Sequence, residues 1–153
     1  MSRVHISSDD GRQPASGRVF DADLIFLRRL AGPLTLAARA MLAYIFIVEG
    51  ADKVAHYADV AGYMQANGVE ARLLPLVILT ELGGGLLVLV GLKTRWAAIA
   101  LGGFCLLTAL LFHLGADQTI EFRKNIAMAG GFLTLATFGP GTWSLDGWRG
   151  RAS

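Results

Sequence analysis

Glu81 is the one ionisable side chain in a twenty-residue run, Leu73 to Leu92, that is otherwise apolar, small or hydroxyl-bearing. At about 1.5 Å of helical rise per residue the run spans the roughly 30 Å hydrocarbon layer of a bilayer, with the carboxylate about 12 Å inside it. A carboxylate at that depth needs partners or a proton, and intramembrane ionisable residues mark ligand sites and proton relays. The groups able to meet it are Arg39, Glu49, Lys53, His113, Lys124 and Asn125. In this set Glu81 and His113 are the candidate catalytic groups, accepting or donating protons. Arg39, Glu49, Lys53, Lys124 and Asn125 are the candidate ligand-binding groups. A plainer reading of the same residues stands beside it: Arg39 or Lys53 neutralises Glu81 and the ion pair fixes helix register, while His113 is an ordinary interfacial histidine.

Other chemistries find little support. The single cysteine, Cys105, sits in an apolar run, so there is no CxxC pair and no internal disulfide. Of the three histidines, His5 lies near the N-terminus, leaving His56 and His113 as the sole pair for axial haem ligation. No metal site and no covalently bound cofactor are expected. No phosphate loop, dinucleotide fingerprint or Ser-His-Asp arrangement is present. The net charge of +2 comes from positive residues that flank apolar spans instead of forming one basic stripe, so nucleic acid is excluded as a partner.

The elements that must position these groups follow from the apolar pattern. In 153 residues, 54% of them hydrophobic, membrane spans are expected ahead of a soluble core. Residues 1–23 are polar and aperiodic and read as a disordered cytoplasmic tail. Leu24 to Pro33 reads as a short interfacial helix stopped by Gly32-Pro33, with Arg28 and Arg29 reaching for lipid phosphates. The first span runs from about Leu34 to Gly50. Val54 to Arg72 is too short and polar to cross and is expected to lie on the surface as an amphipathic helix, ending at Asn67-Gly68.

The second span is the Glu81 helix, whose Gly83-Gly84-Gly85 run lets a neighbouring backbone approach closely. Trp96 to Leu114 is the third span. The fourth ends at Phe138 and begins near Thr119 or Ile120, with Glu121, Arg123 and Lys124 at the interface. The expected fold is therefore all-α, an integral membrane four-helix bundle over residues 24–142, with a short cytoplasmic tail over 143–153.

Orientation follows from the basic residues. With the N-terminus inside, the inner side receives Arg3, Arg12, Arg18, Arg28, Arg29, Lys93, Arg95, Arg149 and Arg151, against Lys53, Arg72, Arg123 and Lys124 outside. Both termini are thus expected in the cytoplasm. This threading brings Glu49, Lys53, Glu81, His113, Lys124 and Asn125 to the outer half of one bundle, around a cavity open to the outer face. Arg39 shares a face with Ala43, Phe46, Gly50 and Lys53, so it is expected to point into the same interior from deeper, with a reach toward Glu81 across an offset of about 10 Å.

With these positions in place, the sequence resembles the DoxX family of bacterial four-helix membrane proteins. The pieces that carry the likeness, from about Leu36 to Asp146, are Arg39, the run Phe46-Ile47-Val48-Glu49-Gly50-Ala51-Asp52-Lys53, and Glu81-Leu82-Gly83-Gly84-Gly85. They continue with Gly91-Leu92-Lys93-Thr94-Arg95-Trp96-Ala97-Ala98, Phe112-His113, Lys124-Asn125 and the closing Gly139-Pro140-Gly141-Thr142-Trp143-Ser144-Leu145-Asp146. The resemblance implies a small bacterial inner-membrane protein with a shared polar pocket. Some members are linked to thiosulfate:quinone oxidoreduction and others to thiol or oxidative-stress complexes.

The function expected on this footing is a subunit of a quinone-linked oxidoreductase system, with quinone as a non-covalent cofactor. Its expected partners are membrane lipid, a redox subunit that supplies electrons and a second copy of the chain. The alternative is a non-catalytic accessory or scaffold subunit that docks through glycine-rich helix faces. A small-solute carrier is disfavoured, because the sequence shows no repeated half or pair of broken helices.

Overall fold

The structure is a computed structural model that describes residues 15–150, and Met1 to Pro14 and Arg151 to Ser153, parts of the two expected tails, lie outside the described residues. Two compact units are distinguished, Met1–Leu30 and Ala31–Ser153. The described residues are mostly helical and contain no strand. In chain order the elements are α1 (Ala15–Ala55), α2 (Tyr57–Ala66), α3 (Leu74–Ile78), a π-helical turn (Leu79–Gly83), α4 (Gly84–Val90), α5 (Thr94–Phe112), α6 (Thr119–Phe138) and α7 (Leu145–Arg149). Three stretches, Leu24–Ala55, Ala71–Val90 and Thr94–Phe112, are long and apolar enough to cross a membrane. The fourth bundle helix, α6, packs along α5 and carries Glu121, Arg123 and Lys124 in its first two turns. The chain is an all-helical integral membrane protein.

The first departure from expectation is at Pro33. Instead of a short interfacial helix stopped by Gly32-Pro33, α1 is uninterrupted and contains the proline, and it begins at Ala15, inside the stretch expected to be disordered. The reason lies in the solvent. A proline removes one backbone hydrogen bond, whereas ending a helix in hydrocarbon would strand several N–H and C=O groups with no water to take them. In the unit Met1–Leu30, Leu24, Ile25, Phe26 and Leu27 are all more than half exposed, as residues facing lipid would be.

In the unit Ala31–Ser153 the core is narrow and built around small residues. Ala43 and Phe46 of α1, Val88 of α4, Ala98, Leu101 and Cys105 of α5, and Ala129 and Phe132 of α6 are buried together. Phe46 and Phe132 meet edge to face at 5.3 Å between ring centroids. The glycines set how closely the helices approach. A Cβ on Gly50 would lie 2.9 Å from the Leu82 backbone nitrogen, one on Gly85 3.0 Å from Ile47, and one on Gly84 3.1 Å from Leu101. Two of the three glycines in the run, Gly84 and Gly85, are thus used in close packing within the chain.

The second departure is inside the Glu81 span, which is not one regular helix. It breaks into α3, the π turn and α4, and Glu81 sits in the middle of the π turn. A π turn inserts an extra residue into the helical ladder and recurs at functional sites. The turn is backed by Gly50 of α1, whose missing side chain leaves room for the widened coil.

Candidate functional site

A partly open cavity of about 660 Å³ lies between α1, α2, the broken Glu81 helix, α5 and α6. Its walls are apolar over most of their area, and the polar groups gathered on them are Glu49, Lys53, Thr80, Glu81, Thr108, His113, Glu121, Lys124 and Asn125. Six of the seven residues singled out from sequence therefore line one cavity. The seventh, Arg39, does not.

Each polar group is positioned by local structure. Glu49 and Lys53 are one turn apart on α1, with Nζ 3.3 Å from Glu49 Oε2. The same ammonium reaches across to Glu81 Oε2 at 3.0 Å. This ion pair is the contact that holds the buried Oε2. Glu81 is only 5% exposed, where solvent screening is weak and the attraction correspondingly strong.

At the far end of α5, His113 takes the position after the last helical turn, and its Nδ1 lies 3.2 Å from Gln118 Oε1. On α6, Lys124 is paired with Glu121 one turn earlier, and Asn125 donates to the Glu121 carbonyl at 3.0 Å. The roof is α2, which brings Val60, Tyr63 and the buried Met64 to the cavity, with the Tyr63 ring stacked on Phe112 at 5.7 Å.

Some of these residues were not singled out from sequence. Glu121 was read as interfacial, and Gln118 and Tyr63 drew no attention. The spacings Glu121–Lys124 and Glu121–Asn125, one helical turn each, are the signal that was available. Gln118 carried none, because its role comes from a turn that folds back on the end of α5.

Arg39 belongs to a different construction, about 21 Å along α1 from Lys53. It is fully buried, and its guanidinium donates to the carbonyls of Val88 at 3.2 Å and Leu89 at 3.0 Å and to that of Trp143. The expected Arg39 to Glu81 pair does not form, and Arg39 lines no part of the cavity. The physical reason is proximity: the Val88 carbonyl, which also accepts from the Gly91 N–H, and the Leu89 carbonyl lie at the end of α4, and a planar five-donor fork matches both at once.

The same end of the bundle holds two further caps. Arg95 donates to the Ala136 and Thr137 carbonyls at the end of α6. The Asp146 carboxylate accepts from the Lys93 and Thr94 N–H groups and the Thr94 hydroxyl at the start of α5. Partial burial pushes the Asp146 carboxyl up, but those hydrogen bonds and the nearby Arg149 charge outweigh it and hold it below the usual aspartate range. Residues 143–150 therefore join the end of α4 and the start of α5 to Arg39 of α1, and are not the free tail expected from their polarity. Among the described residues no group of three His, Cys, Asp or Glu side chains gathers in a way that would hold a metal ion.

Comparison with known proteins agrees with this architecture. The DoxX family profile matches residues 34–114. Among curated proteins, the chain is 44% identical to inner membrane protein YqjF of Escherichia coli K12 over 78% of this chain and 95% of that protein. It is 34% identical to inner membrane protein YphA of the same organism over 74% of this chain and 88% of that protein. No solved structure matches. With a family match covering more than half its length and both relatives aligned along most of theirs, the chain belongs to the DoxX family of membrane proteins.

Proposed function

We propose that this protein is the quinone-binding membrane subunit of a quinone-linked oxidoreductase system, with both termini cytoplasmic and the cavity toward the opposite face of the inner membrane. The observation that carries the proposal is a buried, ion-paired carboxylate on the wall of a largely apolar cavity at membrane depth. A volume of about 660 Å³ is within the usual size of small-molecule and cofactor sites, and a few polar groups on apolar walls suit an amphiphile with a compact polar head. When bound, a quinone supplies two-electron, two-proton carrier chemistry.

The chain's own residues supply the proton side of that chemistry. Glu81 holds or releases a proton beside the Lys53 charge, and Lys53 keeps the carboxylate oriented toward the cavity. His113, held by Gln118, is the second proton-exchanging group, nearer the mouth. The basic residues that flank the spans support the orientation. Electrons come from a partner subunit that carries the redox centre.

A second reading, an accessory scaffold that docks through glycine-rich faces, has less support. Gly50, Gly84 and Gly85 already contact side chains or backbone of their own chain, so such docking would fall to Gly103 of α5 and Gly130 of α6, which meet nothing within 4 Å.

The test is native mass spectrometry of the full chain released from mild detergent, with quinone assayed in the lipid extract. Retained quinone that is diminished in Glu81→Gln is the expected result. A preparation that holds no quinone, or holds as much after the substitution, refutes the proposal.

A further inference from the structure

The cavity has two rims of different chemistry. At the His113 end of the bundle its exposed lining side chains include Glu49, Glu121 and Lys124. The other rim lies between α3 and α5. Around α5, Leu101, Cys105 and Ala109 are buried in the core, and Phe104 and Thr108 on the next face line the cavity half-buried. Beyond them Ala100, Gly103, Leu107 and Leu111 line it exposed. The facing wall repeats the gradient: Glu81 is buried, Val77 and Thr80 are half-buried, and Leu73 and Leu76 are exposed. The cavity therefore runs out sideways through a slot between the two helices, and the exposed residues on both of its edges are apolar.

Depth decides what can pass. Gly103 lies midway between Thr94 and Phe112, the ends of α5, about 13 Å from each. Outside the slot at that level is hydrocarbon, which admits an apolar group and not a charged one. Gly84 packs on Leu101, which fixes the level of the two helices, and Glu81 lies three residues from Gly84 toward the His113 end, a rise of about 4–5 Å. Ala100 is therefore on the bilayer-centre side of the carboxylate, and Gly103 is near its level. A Cβ on Gly103 would meet nothing within 4 Å, so the edge of the slot is left clear where a side chain would narrow it.

We infer that the ligand enters and leaves the cavity from the bilayer, through the slot between α3 and α5, with its polar head at Glu81 and its apolar tail lying across Gly103 and Ala100 into the lipid. Gly103 is then the residue that sets the clearance for the tail. The polar rim at Glu49, Glu121 and Lys124 is left to water and protons. Moving a tail from lipid into an apolar slot gains little, since lipid chains are as apolar as the slot. What the slot supplies is room, and the measurable effect is the loss of that room. This inference rests on the quinone reading above and adds to it the route of entry and the place of the tail.

The test is calorimetric titration of the full chain in lipid nanodiscs with a benzoquinone that has no tail and separately with its decyl-chain analogue, empty nanodiscs serving as the reference for partition into lipid. Gly103→Phe puts a ring on the edge of the slot and is expected to weaken the decyl compound about tenfold or more while leaving the tail-less one unchanged. Gly130→Phe on α6, where a Cβ also meets nothing within 4 Å but which lines no part of the cavity, is expected to change neither. A general loss of folding strikes both compounds alike and does not produce this split. Should Gly103→Phe not be recovered folded, Ala100→Leu on the same edge carries the same comparison. Unchanged binding of both compounds, an equal loss of both, or the same split in Gly130→Phe overturns the inference while the quinone reading stands. Failure of the parent to bind either compound overturns both.

Discussion

Lys53→Met removes the ammonium that faces Glu81 and keeps most of the side-chain volume. At 3.0 Å and an effective dielectric near 20 the Coulomb attraction between the two groups is about 5–6 kcal/mol before desolvation is counted. Deleting one member of a buried pair costs about 3–5 kcal/mol, because the other is left without compensation. Lys53 is 19% exposed and shares its charge with Glu49, so the lower end, about 3 kcal/mol, is the expected loss. For a chain of this size that corresponds to a midpoint lower by about 6–12 °C.

The double variant Lys53→Met, Glu81→Met replaces the pair with apolar side chains of similar volume and is expected to return to within about 1 kcal/mol of the parent. The assay is helical ellipticity against temperature at one fixed scan rate, in one detergent, for the parent, both single variants and the double. A Lys53→Met protein that melts with the parent would refute the reasoning. So would a double variant as unstable as the single, since the loss would then come from packing and not from a stranded charge.

Other expectations follow from the opposite end of the bundle and from the glycines. Arg39→Lys puts a single ammonium where a fork served three carbonyls, and should lower stability by about 2–4 kcal/mol in the same melt. Ligand affinity of the folded fraction should be unchanged, because Arg39 does not reach the cavity. Gly85→Ala brings a methyl to 3.0 Å from Ile47 and is expected to cost about 1–3 kcal/mol. Gly130→Ala meets nothing within 4 Å and should be neutral or stabilising by up to about 1 kcal/mol, read from the two midpoints side by side. The Asp146 carboxyl is held below its ordinary value, so its contribution is fully present above the unfolded aspartate pKa of about 3.9 and disappears as pH falls through the folded value. Asp146→Asn should therefore flatten the acid limb of a midpoint-against-pH curve, and an unchanged limb would show that the clamp does not depend on that charge.

How much of this was legible in the residues differs from one feature to the next. The spans could be read because a bilayer imposes one length and one composition on any helix that crosses it. Antiparallel threading of those spans was enough to bring Glu49, Lys53, Glu81, His113, Lys124 and Asn125 to one end of the bundle. Arg39 was misassigned by the same reasoning. Helix periodicity gives the face a side chain leaves from but not which of several acceptors within reach it finds, and the carbonyl ends of α4 were nearer than Glu81.

Composition alone settled that the protein crosses a membrane and that a charged group lies within it, since burying that charge is costly in any arrangement. Tertiary structure decided the rest: that Lys53 is the cation meeting Glu81, that Glu81 sits in a π turn, and that the closing residues join the end of α4 and the start of α5 to Arg39. Hydrophobicity is additive along a chain, so a sequence displays it. Ion pairs and caps depend on which atoms come within about 3 Å of one another, and only the packed helices set those distances.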